Sequence, residues 1–154
     1  MPIALQKFLP LKVDLRLPVV DLAGARAVTG RHENELKAMV DTGDLLWAWN
    51  ISRHPDRDRR ELRFLVKELR ALDSRSITVD DDESIRLLYG REKPFILGKH
   101  WHTAWNCDSG HMMNLVDDMV LGVVPGTDHG RGRGRTPCIT WPSAVAFLKQ
   151  RRLS

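Results

Sequence analysis

Two arginine-rich stretches carry the most conspicuous chemistry of this chain. Residues 52–60, SRHPDRDRR, hold Arg53, His54, Arg57, Arg59 and Arg60, and residues 130–135, GRGRGR, alternate glycine with Arg131, Arg133 and Arg135. Guanidinium groups are planar, permanently charged and matched to phosphate oxygens, so clusters of them in polar loops suit a polyanion. The competing reading is a solvated basic loop in each case, and Arg-Gly tracts also meet RNA and phosphates without specificity. Lys and Arg number 24 against 20 Asp and Glu, a formal charge of +4 that permits such a partner without demanding it.

His100, His102, Cys107 and His111 form a second group of ligand-type side chains. Imidazole and thiolate suit zinc. The helix, turn and second helix expected here splay these residues apart, and their spacing matches no standard ligand pattern. Neither a metal nor another cofactor is expected. Trp47 and Trp49 could stack on bases, but their alternation with Ile51 fits a sheet face packed on helices better. No Gly-rich phosphate loop follows a strand, and the carboxylates fall on capping or surface-like positions. The only tyrosine, Tyr89, sits in a connecting region. An enzyme is therefore not expected.

The elements that would position the basic loops come in two sets. Thr29–Leu45 and Trp105–Leu121 align so that Leu36, Met39 and Val40 fall on Met112, Leu115 and Val116, with Asp41 on Asp117 and Leu45 on Leu121. Apolar residues at i, i+3 and i+4 describe one face of a short helix. Another helical pattern precedes each copy: Leu22, Ala25 and Val28 after a capping Asp21, and Trp101, Ala104 and Trp105. Strand-like runs and a basic loop follow each copy, Leu46–Ile51 with Leu62–Leu65 and Gly122–Pro125 with Cys138–Thr140. Helix, turn, helix and basic hairpin outline a winged DNA-binding domain.

The expected fold is therefore α+β, mostly helical, with two tandem winged helix-turn-helix units, each bearing a small β-hairpin wing. Residues 1–18 form an N-terminal arm in which Val13, Leu15 and Leu17 alternate as a strand. Residues 19–75 form the first unit, 76–92 an acidic helical linker and 93–154 the second unit. Units this small bury a limited core, so they lean on each other, on a second copy in a homodimer, or on a protein partner. No apolar run is long enough to span a membrane. Lys7, Pro10 and Lys12 interrupt the apolar residues of the start, which argues against a secretory leader. Cys107 and Cys138 make no disulfide framework, so a reduced, cytoplasmic protein is expected.

The second unit resembles the excisionase-like branch of the MerR-type winged helix-turn-helix family. The matching pieces are LGKHWHTAWNC, HMMNLVDDMVL and the ending ITWPSAVAFLKQRR, and the first unit adds VDTGDL at the turn. Met119 stands where that family carries Gly. The resemblance implies binding to double-stranded DNA, in transcription control or as an accessory factor in recombination. It also implies that the second helix of each unit meets the major groove. In the first unit that helix offers Arg31, His32, Asn34, Glu35 and Lys37, and in the second Ser109, His111 and Asn114. The second set is nearly uncharged and lies beside Asp108, Asp117 and Asp118, so this unit reads bases weakly or faces a protein. GRGRGR is similar to the minor-groove core of AT-hook peptides. The alternatives are an adaptor in which one unit has lost DNA readout, and a nonspecific nucleic-acid binder.

Overall fold

Capping side chains and left-handed turns divide the chain into its elements. The computed structural model describes residues 16–72, 79–127 and 137–153. Among these the architecture is α+β, with seven helices and small antiparallel sheets. Strand β1 (Val19–Val20) leads into helix α1 (Leu22–Thr29). Asp21 Oδ1 caps that helix by accepting from Gly24 N at 2.8 Å. A Cβ on Gly24 would lie 2.6 Å from Val20 Cβ, so only glycine lets α1 lie this close to β1. Helix α2 (Glu33–Thr42) follows, then β2 (Ala48–Asn50), β3 (Leu62–Leu65) and α3 (Val66–Arg70). The strand order is β1-β3-β2, with β3 antiparallel to both neighbours.

The second half begins with α4 (Asp81–Tyr89), capped by Asp80 Oδ1 on Glu83 N at 2.7 Å. Then come β4 (Phe95–Leu97), α5 (Gly98–Ala104), α6 (Ser109–Asp117), β5 (Cys138–Thr140) and α7 (Trp141–Gln150). β4 pairs with β5, and Val123 makes a single antiparallel bridge to Ile139. The order strand, helix, helix, strand, strand, helix thus occurs twice. The second time, the counterpart of β2 is reduced to one bridged residue.

The correspondence reaches single backbone bonds. Leu45 N donates to Met39 O, as Leu121 N does to Leu115 O. Val66 N donates to Pro18 O, as Trp141 N does to Pro94 O. Leu65 N donates to Trp47 O, as Thr140 N does to Gly122 O. Left-handed residues stand at the same two places, Gly30 with Asn106 and Gly43 with Met119. Met119, at φ 61°, keeps the turn without the glycine, a conformation that costs an L-residue roughly 1–2 kcal/mol. Leu36, Val40, Met112, Leu115 and Val116 are buried on their helices, and Met39 is half-buried.

Both faces of the first sheet are covered. Val20, Ala48 and Phe64 pack with Ala25, Leu36 and Val40 of α1 and α2. Val19, Trp47, Trp49, Ile51 and Leu65 point the other way and join Trp105, Phe147 and Leu148. The tryptophan face therefore packs on helices, as its alternation leads one to expect, and those helices belong to the second half. Trp49 Nε1 donates to Leu148 O at 2.9 Å, and its ring meets Trp105 edge-on at 5.2 Å. Residues 151–153 line β2, with Asn50 N donating to Arg151 O and Leu153 N to Ala48 O. Glu68 is buried, and its carboxylate accepts from Leu46 N and Trp47 N at 3.0 and 2.9 Å, holding the entry to β2; burial pushes that carboxyl up from the ordinary glutamate value, and the two backbone bonds oppose the rise.

Val13 and Leu15 of the expected arm strand lie outside the described residues; within them the strand forms at Val19–Val20 and Leu17 is in a bend. The segment expected as an acidic helical linker does form its helix, α4, and Ser84, Leu88 and Tyr89 of that helix are buried. Tyr89 Oη donates to Ala144 O and accepts from Trp105 Nε1 at 2.9 and 3.0 Å, so this helix belongs to the core. Gly122–Pro125 makes no strand beyond the Val123 bridge, while β4 forms where the sequence pattern suggests none. Among the described residues no helix is long and apolar enough to cross a membrane.

Candidate nucleic-acid interface

Helix α2 turns Leu36 and Val40 inward, which leaves His32, Asn34, Glu35 and Lys37 exposed. His32 occupies the N-cap position, but its ring caps nothing. The charged members of this face are paired along the helix. Arg31 Nη1 meets Glu35 Oε1 at 3.0 Å and Lys37 Nζ meets Glu33 Oε1 at 2.8 Å. The bond from Lys37 holds the Glu33 carboxyl below the usual glutamate range. Exposed pairs of this kind contribute little and open readily.

The first basic loop joins β2 to β3. Its tip is a local turn in which His54 O accepts from Arg57 N and Asp58 N, while Asp58 Oδ2 accepts from His54 N. Arg57 and Arg59 are exposed, and neither side chain makes a hydrogen bond or ion pair among the described residues. Arg60 reaches Asp41 Oδ1 at 3.2 Å. Arg59 and Arg60 line a groove of about 570 Å³ together with Lys37 and Glu33 of α2 and the start of α1. Arg59 and Arg60 thus share one concave surface with Glu33 and Lys37 of α2, whereas Arg31, His32, Asn34 and Glu35 do not line it. That surface is a mosaic, since Asp21, Glu33 and Glu61 line it as well.

Arg53 and His54 lie apart from this surface. Arg53 Nε and Nη2 donate to Asp118 Oδ2 and Oδ1 at 2.5 and 2.8 Å, and His54 Nε2 stands 3.9 Å from Asp118 Oδ2. In the second half Ser109 and Asn114 are exposed on α6, whereas His111 is half-buried and its Nε2 donates to Ile51 O at 2.6 Å. The face of α6 that corresponds to the polar face of α2 is thus partly engaged with the first loop. Arg131, Arg133 and Arg135 lie outside the described residues.

The ligand-type group is dispersed. His100 is exposed, His102 Nδ1 is 3.0 Å from Cys107 O, and His111 bonds Ile51. Burial pushes the Cys107 thiol up to about 12, so it stays protonated at neutral pH. Among the described residues no three His, Cys, Asp or Glu side chains gather in a metal-binding arrangement.

Arg63 and Arg151 stand at the join between the halves without any sequence signal for it, and Asp118, legible only as an acid beside the second helix, holds Arg53. Arg63 is buried and donates to Trp105 O and Asn106 O at 2.8 and 3.0 Å. Arg151 Nη1 donates to Ser52 O at 2.6 Å. One signal points to Asp118: adjacent aspartates at the negative end of a helix are unfavourable unless a cation answers them.

Comparison with models of known families, with curated proteins and with solved structures finds no match.

Proposed function

We propose that the chain is a cytoplasmic double-stranded DNA-binding protein of two tandem winged helix-turn-helix units, whose first unit carries most of the contacts. The observation behind this reading is the groove shared by Lys37 of α2 with Arg59 and Arg60 of the hairpin loop. A short helix with exposed polar side chains enters a major groove, and a hairpin with unpaired arginines reaches the flanking phosphates. Asn34 suits adenine and Arg31 suits guanine through paired hydrogen bonds. A guanine edge would replace Glu35 as the partner of Arg31 and a phosphate would replace Glu33 as that of Lys37, exchanges that cost little because the pairs are exposed. Control of transcription and an accessory role in recombination both fit such a protein.

A second reading is a protein-binding adaptor, favoured by one observation: Phe95 and Leu97 stand exposed on β4, at 40% and 49%. Selection from a random duplex pool separates the two. DNA reading predicts enrichment of one short motif, with affinity that falls when the motif is scrambled. A pool without enrichment removes the sequence-specific DNA reading: equal binding to all duplexes then leaves a nonspecific nucleic-acid binder, and no binding leaves the adaptor.

A further inference from the structure

The base of the first basic loop is tied to the second half of the chain at three points. Asp118, next after α6, accepts both bonds of the Arg53 fork. His111, near the start of α6, donates to Ile51 O; a carbonyl only accepts, so the imidazole hydrogen is on Nε2. Arg151, at the end of α7, donates to Ser52 O. The loop also closes on itself below these ties, because Asn50 Oδ1 accepts from Ser52 N and Glu61 N at 3.1 Å each. Consecutive residues Ile51, Ser52 and Arg53 are each held by a different side chain of the second half. Beyond them Arg57 and Arg59 extend without a hydrogen bond or ion pair among the described residues.

We infer that the second half is a positioning scaffold for the first loop, with Asp118, His111 and Arg151 fixing the direction in which Arg57 and Arg59 meet DNA. The inference rests on the DNA reading above and assigns the second unit a task other than base recognition. Its logic is preorganisation: a loop held in its bound direction loses less freedom on binding, and holds its cations against one register of phosphates. Asp118 is a positioning residue here, since it acts through Arg53. The titratable groups around the pair are His54, Asp58 and Asp117.

The sign of one substitution distinguishes this scaffold from a bystander. Asp118→Asn removes a negative charge, so if Asp118 were only a surface acid, binding to every duplex would strengthen. The scaffold predicts a selective loss. Affinity for the selected duplex should fall roughly threefold to tenfold, the range expected when one coupled pair is broken. Affinity for a scrambled duplex should change less than about twofold. Amide exchange of residues 53–61 should quicken in the free protein. Arg53→Gln should do the same, and the swapped pair Arg53→Asp with Asp118→Arg should recover most of the loss, which a misfolded protein could not do. An Asp118→Asn protein with unchanged or tighter binding to the selected duplex overturns the inference. So does an Arg53→Gln protein that weakens both duplexes equally, which would make Arg53 itself a phosphate contact. Failure of the unmodified protein to prefer any duplex is a separate result, and removes the DNA reading before any variant is made.

Discussion

Val19 and Phe95 occupy the same place in the two halves and meet opposite surroundings. Each comes one residue after a proline whose carbonyl accepts from the start of the last helix of its half, and each lies on the first strand of its sheet. Val19 is fully buried, while Phe95 is 40% exposed. The sheets differ in what lies against the outer face. The first sheet turns Val19, Trp47, Trp49 and Ile51 onto the second half, whereas the matching face of the second sheet keeps Phe95 and Leu97 exposed. A two-faced sheet becomes core only where something covers both faces. The contrast explains how halves of about 60 residues, marginal by themselves, reach a shared interior.

Truncating the two faces separates them most sharply. Trp49→Ala should cost about 3–5 kcal/mol, because it removes a large buried side chain at the join. Phe95→Ala should stay within about 1 kcal/mol, as expected of a side chain far from full burial. Thermal or denaturant unfolding measures both, and the loss in Trp49→Ala should fall on both halves in one transition. Equal costs would dissolve the contrast.

The turn after the second helix gives a smaller test of opposite sign. Gly43→Ala places a side chain at φ 84° and should destabilise by about 1–2 kcal/mol. Met119→Gly relieves the same conformation at φ 61° and should stabilise by about 0.5–1 kcal/mol. Met119 is 89% exposed, so the exchange removes little packing. Destabilisation by Met119→Gly would mean that the two turns are not equivalent.

The smallest effect concerns the pair between the halves. The bond from Arg53 holds the Asp118 carboxyl below the usual aspartate range. A depressed carboxyl stabilises the folded state above its unfolded value, near pH 3.9, and loses that contribution as pH falls through its folded value. The stability difference between the unmodified protein and Asp118→Asn should therefore shrink on acidification below about pH 4. A difference that holds constant through that range would show the pair to be irrelevant to folding.

The repeated i, i+3, i+4 apolar spacing marks α2 and α6, and Asp21, Gly30 and Gly43 mark helix ends, because these signals act within a few residues. The return strands at Leu62–Leu65 and Cys138–Thr140 are legible for the same reason. Strands β1 and β4 are not, since Val19–Val20 and Phe95–Leu97 are uninterrupted apolar runs with no polar residue to mark a face. The direction of the tryptophan face is also hidden: alternation says that Trp47, Trp49 and Ile51 share a side, not what covers it. The ties at the loop are the least legible. Arg53 and Asp118 are 65 positions apart, and His111 and Ile51 are 60 apart. In sequence Arg53 and Arg57 look alike, yet Arg53 is engaged by the fold and Arg57 is left to solvent.

The most direct test of the account is the salt dependence of duplex affinity, compared between the unmodified protein and Arg57→Ala/Arg59→Ala. These two side chains are exposed and unpaired among the described residues, so the double variant should leave folding intact. If both arginines meet phosphates, the slope of log affinity against log salt should become shallower by about 2, near 0.9 for each phosphate that is no longer neutralised. An unchanged slope in a folded double variant would mean that the loop faces away from DNA, and would contradict the assignment of the first half as the binding unit.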